Sequence, residues 1–224
     1  MTVMIFADRH EAGRLLAQKL LRFRDRRPIV LALPRGGVPV GYEVSRALGA
    51  PLDLVLVRKL GAPGQPELAI GALALGAEAE IVTDRPLLAA LGVTAAALAA
   101  ITAREREEIR RRRKLYLGDR PPAPIEGRTA IIVDDGIATG ATMRAALAAT
   151  RKRKPARLVL AVPVAAPDTI ARLGDEADEI VCLEQPDSFF AVGQFYRSFT
   201  QLEDGEVLDL LARARQFVAE ENRI

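Results

Sequence analysis

Five short apolar runs, separated by amphipathic stretches, limit what this chain of 224 residues can fold into. They are PIVLALP (28–34), LDLVLV (52–57), TAIIVDD (129–135), ARLVLAVPV (156–164) and EIVCLE (179–184). Apolar runs this short, without polar alternation, read as strands buried on both faces. VPVGYEVSRAL (38–48), ATMRAALAATRKR (141–153) and PDTIARLG (167–174) read as helices between them. Such alternation predicts an α/β fold, a central parallel sheet flanked by helices with right-handed crossovers. Half the residues are hydrophobic, but there is no Trp and aromatics are only 4%, so Leu, Val, Ile and Ala must fill the core.

Outside the alternation the signals are local. Asp8 and Glu11 have capping-box spacing, and Ala12, Leu15, Leu16, Leu20 and Phe23 follow helical spacing, predicting a helix over 9–25. Residues 58–83 read as irregular, with GAPGQPE (61–67) a flexible loop and AIGALAL and AEIVT a short hairpin around Gly76–Ala77. Asp84 caps a short helix that Gly92 ends, and Thr94 caps a longer one running to Leu117. PPAP (121–124) forbids helix and marks a linker, and a final helix begins near Asp204.

Several function classes drop out. Cys182 is the sole Cys and His10 the sole His, which excludes an intrachain disulfide and a Cys/His zinc site. A Ser-His-Asp or Cys-His pair would have to use His10, at a helix start, and is set aside. The N-terminus mixes acids and bases and does not read as a signal peptide. Residues 86–103 are uncharged, but Pro86, Gly92 and many Ala make them too weakly apolar for a membrane span. The expectation is a soluble cytoplasmic protein. Its net charge of +3 suits anionic small molecules or nucleic acid without choosing between them.

Ligands of parallel sheets bind at the carboxyl ends of the strands. Three segments occupy such ends: PRGG (34–37), RKLG (58–61) and DDGIATGAT (134–142). In the last, Gly136 and Gly140 allow a tight turn and close ligand approach. Backbone N–H groups can then converge in front of a helix N-terminus, with Thr139 and Thr142 adding hydroxyls: a phosphate cup. It lacks the Gly-Lys-Ser/Thr ending of a Walker loop and the GxGxxG dinucleotide fingerprint. Asp134 and Asp135 would repel phosphate but suit vicinal hydroxyls. A phosphate beside a diol is a ribose 5-phosphate.

IIVDDGIATGATM (131–143) resembles, at all thirteen positions, the signature by which type I phosphoribosyltransferases bind 5-phosphoribosyl 1-pyrophosphate (PRPP). The resemblance implies that Asp134 and Asp135 hold the ribose hydroxyls. It implies that Gly136, Ile137, Ala138, Thr139, Gly140, Ala141 and Thr142 cradle the 5′-phosphate. PRGG, with Arg35, Gly36 and Gly37, is similar to the family's pyrophosphate loop, and Arg58–Lys59 to its basic pair. FADRHEAGRLLA, LALPRGGVPVGYEV, VRKLGAPGQPELAIGAL and PDSFFAVGQFYRSFTQLEDGEVLDLL resemble, more narrowly, bacterial members of unassigned acceptor.

What the resemblance implies is one domain over 1–224, with a core at about 28–60 and 125–184, a hood at about 61–120 and 185–203, and a terminal helix at about 204–222. It implies a homodimer and Mg²⁺ as cofactor, carried mainly by substrate oxygens, with Asp134 and Asp135 reaching it through ribose or water. Arg35, Arg58 and Lys59 would stabilise the leaving pyrophosphate. The position where hypoxanthine-guanine enzymes carry an Asp is Ala138, so Glu67 is the candidate base. Phe189, Phe190, Phe195, Tyr196 and Phe199, five of ten aromatics, could stack a planar acceptor or form a small core under the terminal helix. The basic stretch 104–116 reads as a salt-bridged face, with Glu107 spaced to pair with Arg111; no interleaved aromatics support a nucleic-acid module. The expected reaction moves the phosphoribosyl group to a nitrogen nucleophile, the acceptor being unidentified. A non-catalytic PRPP sensor and a hydrolase or phosphorylase of phosphoribosyl compounds remain the alternatives.

Overall fold

A computed structural model describes residues 4–75 and 79–221. Helix α1 (Arg9–Leu20) continues into a 3-10 turn at Leu21–Arg26 and leads to β1 (Pro28–Ala32), α2 (Gly37–Leu48) and β2 (Leu52–Leu54). Next come β3 (Leu56–Ala62), β4 (Gln65–Leu75), β5 (Ala79–Thr83), α3 (Arg85–Ala90) and α4 (Ala95–Leu117). The alternation then resumes as β6 (Thr129–Val133), α5 (Ala141–Arg151), β7 (Arg157–Val164), α6 (Pro167–Leu173) and β8 (Glu179–Glu184), before α7 (Asp204–Glu221).

Five strands form a parallel sheet in the order β2-β1-β6-β7-β8. Its strands alternate between two cores. Val30, Ala32, Ile131, Val133, Val159 and Ala161 pack with α1, α2 and α7, while Ile29, Leu31, Ile132, Leu160 and Val162 pack with α5 and α6. The order places β2 on one side of β1 and β6 on the other. The chain therefore leaves β1 and β6 towards opposite faces of the sheet, which opens a crevice at their carboxyl ends.

The run 52–57, read above as one strand, is two. After Leu54 the chain leaves the parallel sheet, with the Val55 amide donating to the Ala32 carbonyl at 3.0 Å. It re-forms as β3 of a separate antiparallel sheet, β3-β4-β5. Residues 58–83 are thus mostly strand, and 61–67 is largely the end of a hairpin. The reason is tertiary: Leu56, Leu60, Ile70 and Leu73 bury one face against α4, through Ile109. Ala72 and Ala74 bury the other against Ala145 and Ala149 of α5. Packing overrides the Gly and Pro content, with a bulge at Leu60–Gly61 absorbing the irregularity. The β4–β5 hairpin forms as expected; its turn at Gly76–Ala77 lies outside the described residues. The local caps also form, Asp8, Asp84 and Thr94 accepting from the Glu11, Leu87 and Ala97 amides.

Ile131 and Ile132 are adjacent, fully buried and in opposite cores. Each change to Ala should cost about 2–5 kcal/mol in urea unfolding. A solvated sheet face would spare one of the two.

Candidate functional site

The crevice is built from two strand ends that nearly touch. After β1 the chain turns through Pro34–Arg35, whose peptide bond is cis, into Gly36 and Gly37. A Cβ on Gly36 would lie 2.1 Å from Oδ2 of Asp135, and one on Gly37 would lie 2.7 Å from the Val133 carbonyl oxygen. Only a chain without side chains at both positions can sit this close to the end of β6. Arg35 stands at the rim, 3.7 Å from the Asp204 carboxylate at the start of α7. Asp204 also accepts from the Tyr116 hydroxyl at the end of α4.

Asp134 and Asp135 follow β6 directly. The Asp135 amide donates to Asp134 Oδ1 at 2.9 Å, and Tyr196 donates its hydroxyl to the Asp135 carbonyl at 2.6 Å. Arg9 Nε donates to Asp135 Oδ2 at 2.7 Å. Burial, and then the adjacent Asp135 carboxylate, push Asp134 well above the ordinary carboxylate range. Burial raises Asp135 too, opposed by the Arg9 guanidinium. Burial likewise raises the Tyr196 phenol, keeping it a donor.

The loop beyond is held from behind. A Cβ on Gly136 would lie 2.6 Å from Val192 Cγ1. Ile137 exchanges backbone hydrogen bonds with Val164 and Ala166, and Thr169 donates its hydroxyl to the Ala138 carbonyl at 2.6 Å. Gly140, at φ +82°, makes the left-handed turn into α5. Among the described residues, the amides of Ala138, Thr139, Gly140, Ala141 and Thr142 reach no backbone acceptor, as expected of a helix N-terminus open to an anion. Thr139 and Ala141 line a cavity of about 510 Å³ between this loop, β4, β5 and the start of α3. Arg85, Arg144 and Arg172 line it as well, and its one acid, Asp84, caps α3.

The remaining candidates lie in the antiparallel sheet. Arg58 and Lys59 are not a pair after a strand, as read above; they are consecutive within β3 and so project to opposite faces. Arg58 turns to α4, its Nε 2.8 Å from the buried Glu105, which Arg104 also meets. Lys59 is exposed and in register with Ala72 and, through it, Val82, both of which line the cavity. Glu67 is exposed near the start of β4. Of the five hood aromatics, Phe189, Phe195 and Tyr196 form a small core with Phe6, under the N-terminal segment rather than the terminal helix. Phe199 lies beneath Arg9, and Phe190 is 89% exposed. Glu107 pairs with Arg110 instead of Arg111, while Arg111 and Arg112 share Glu108.

Sequence reasoning missed Arg9, Tyr196 as a ligand of Asp135, Glu105 and Asp204. Arg9 sits in ADRHEAG, where its charge reads as an ordinary helix start. No periodicity links it to a residue 126 positions away. Among the described residues, no group of three or more His, Cys, Asp or Glu could hold a metal, and no helix is long and apolar enough to cross a membrane.

The phosphoribosyl transferase domain family matches residues 7–200. Two Mycobacterium tuberculosis proteins, from strains CDC 1551 and H37Rv and each named "Putative phosphoribosyl transferase", are 47% identical over 220 residues. The match covers 98% of this chain and 49% of theirs, so the chain spans about half the length of these relatives. The crystal structure of TT1426 from Thermus thermophilus superposes with a TM-score of 0.80 at 45% identity, over 94% of this chain and 99% of that one.

Because Asp134 binds its proton more tightly in the folded chain than in the unfolded one, its contribution to stability is present at acid pH. It is lost as pH rises above the ordinary carboxylate range. Asp134→Asn should therefore unfold like the parent at low pH and resist urea better at neutral pH, by about 1–3 kcal/mol. Urea unfolding of the two proteins at acid and at neutral pH checks this.

Proposed function

The chain belongs to the phosphoribosyl transferase family, and from that premise we propose that it transfers the 5-phosphoribosyl group of PRPP to a nitrogen nucleophile, releasing pyrophosphate. The observation that carries this reading is the meeting of Gly36–Gly37 with Asp134–Asp135 at the crevice between β1 and β6, beside an open ring of loop amides. In this reading the amides of residues 138–142 bind the 5′-phosphate, with Thr139 and Thr142 adding hydroxyls. Asp134 and Asp135 accept hydrogen bonds from the ribose hydroxyls. The nucleophile's lone pair forms the new bond at C1′ as the C1′–oxygen bond to pyrophosphate breaks, and the bonding electrons leave with pyrophosphate.

The turn at Arg35–Gly37 faces that leaving group, and Lys59 adds a mobile positive charge from β3. Arg58 already neutralises Glu105, so its part is to hold β3 against α4. Glu67, exposed on β4, is the candidate base for the acceptor's proton. Carboxylate oxygens at Asp134 and Asp135 suit Mg²⁺ reached through ribose or water. When bound, the ion would neutralise charge on the pyrophosphate oxygens. Arg104, Arg110, Arg111 and Arg112 of α4 are engaged by Glu105, Glu107 and Glu108, which favours a salt-bridged face over a nucleic-acid contact there.

Calorimetric titration with PRPP should show binding that strengthens with Mg²⁺. Asp134→Asn with Asp135→Asn should weaken it about 100-fold or more, the scale of two charge-assisted hydrogen bonds. Unchanged affinity would refute the diol assignment. Pyrophosphate released without acceptor would instead favour hydrolysis.

Lys59→Ala should lower turnover with PRPP affinity little changed. Arg58→Ala should lower stability by about 1–3 kcal/mol, because it strips a partner from the buried Glu105. The reverse pattern in turnover and urea unfolding would exchange the two roles.

A further inference from the structure

Asp135 is held at three points, two of them by parts of the chain far from it in sequence. Its amide is tied to Asp134, its carbonyl to the Tyr196 hydroxyl, and its carboxylate to Arg9. Arg9 is itself locked. Its guanidinium carbon lies 3.8 Å from the centre of the Phe199 ring, and Nη1 donates to the Thr200 carbonyl at 2.9 Å. Its side chain is only 11% exposed. A planar guanidinium can stack on a ring while donating from two edges, which an ammonium cannot do.

The segment that presents Phe199 and Thr200 is fixed in turn. Phe6 and Tyr196 form a parallel bridge, the Arg197 amide donates to the Phe6 carbonyl at 2.8 Å, and the Ser198 amide to the Ala7 carbonyl at 2.9 Å. The N-terminal segment and residues 195–200 thus form one unit that meets Asp135 twice, through the Tyr196 hydroxyl at its carbonyl and through Arg9 at its carboxylate. A carboxylate offers about four acceptor positions; Arg9 occupies one and sets the plane of the others.

We propose that Arg9 is a positioning residue for the phosphoribosyl site, orienting the Asp135 carboxylate to receive a ribose hydroxyl and making the Phe199–Thr200 segment part of the ribose-holding machinery. This rests on the reading of Asp134 and Asp135 as diol ligands. It acts on the ribose half of the substrate and leaves the pyrophosphate loop untouched. A purely structural Arg9, tying α1 to the segment at 195–200, would weaken every ligand together or none.

The test compares three probes by calorimetry on the full chain with Mg²⁺: PRPP, ribose 5-phosphate and inorganic pyrophosphate. Arg9→Met keeps the apolar stem and removes the guanidinium. It should weaken PRPP and ribose 5-phosphate roughly tenfold or more, the scale of one charge-assisted hydrogen bond, with pyrophosphate unchanged. Arg9→Lys should recover only part of the loss. In an Asp135→Asn background, adding Arg9→Met should do little more, because the two act as one unit. If Arg9→Met fails to fold, Phe199→Leu, which removes only the stacking face, should show the same selective loss at smaller size. Equal loss on all three probes, no loss on any, or full additivity with Asp135→Asn would overturn the proposal. If Asp135→Asn alone binds PRPP normally, the diol reading fails first and takes this inference with it.

Discussion

Two carboxylates side by side at the end of a buried strand repel each other and give up much of their water. Most of what surrounds β6 answers that cost. Arg9 cancels one charge, the Asp135 amide and the Tyr196 hydroxyl fix the backbone, and Asp134, buried beside a second carboxylate, holds its proton more tightly than an ordinary carboxyl. The opposing loop can approach only because Gly36 and Gly37 carry no side chains.

The antiparallel sheet stands in a different relation to the core. It is clamped between α4 and α5 by small and aliphatic side chains, with Arg58–Glu105 the most buried of its ion pairs. The exposed pairs along α4 contribute little each. They neutralise part of a helix that carries six arginines and a lysine against three glutamates. What the sheet does for the site is to supply one wall of the cavity beside the loop at 138–142, with Lys59 on the same face.

The parallel strands were readable because burial on both faces leaves an unbroken apolar run, and the loop 136–142 because its small residues have few other uses beside two acids. The β3–β4 hairpin was not. Its Gly61, Pro63, Gly64 and Pro66 are the residues of a loop by local propensity, and only packing on α4 and α5 makes strands of the flanks. Likewise Arg58 and Lys59 look like a pair in sequence. A strand's alternation separates them, and the direction each takes depends on what covers each face.

By itself, the sequence determined the α/β class, the strand-end segments PRGG and DDGIATGAT, the caps at Asp8, Asp84 and Thr94, and the chemistry that Asp134 and Asp135 could offer. All of these rest on neighbours within a few positions, where periodicity and residue type suffice. Only the tertiary structure decided that Arg9 meets Asp135 across 126 positions, that Tyr196 serves the same residue, and that Glu105 takes Arg58. Those partners are chosen by the sheet order and by the path of the N-terminal segment. A charge has no period along the chain, so its partner is fixed in space and nowhere written beside it.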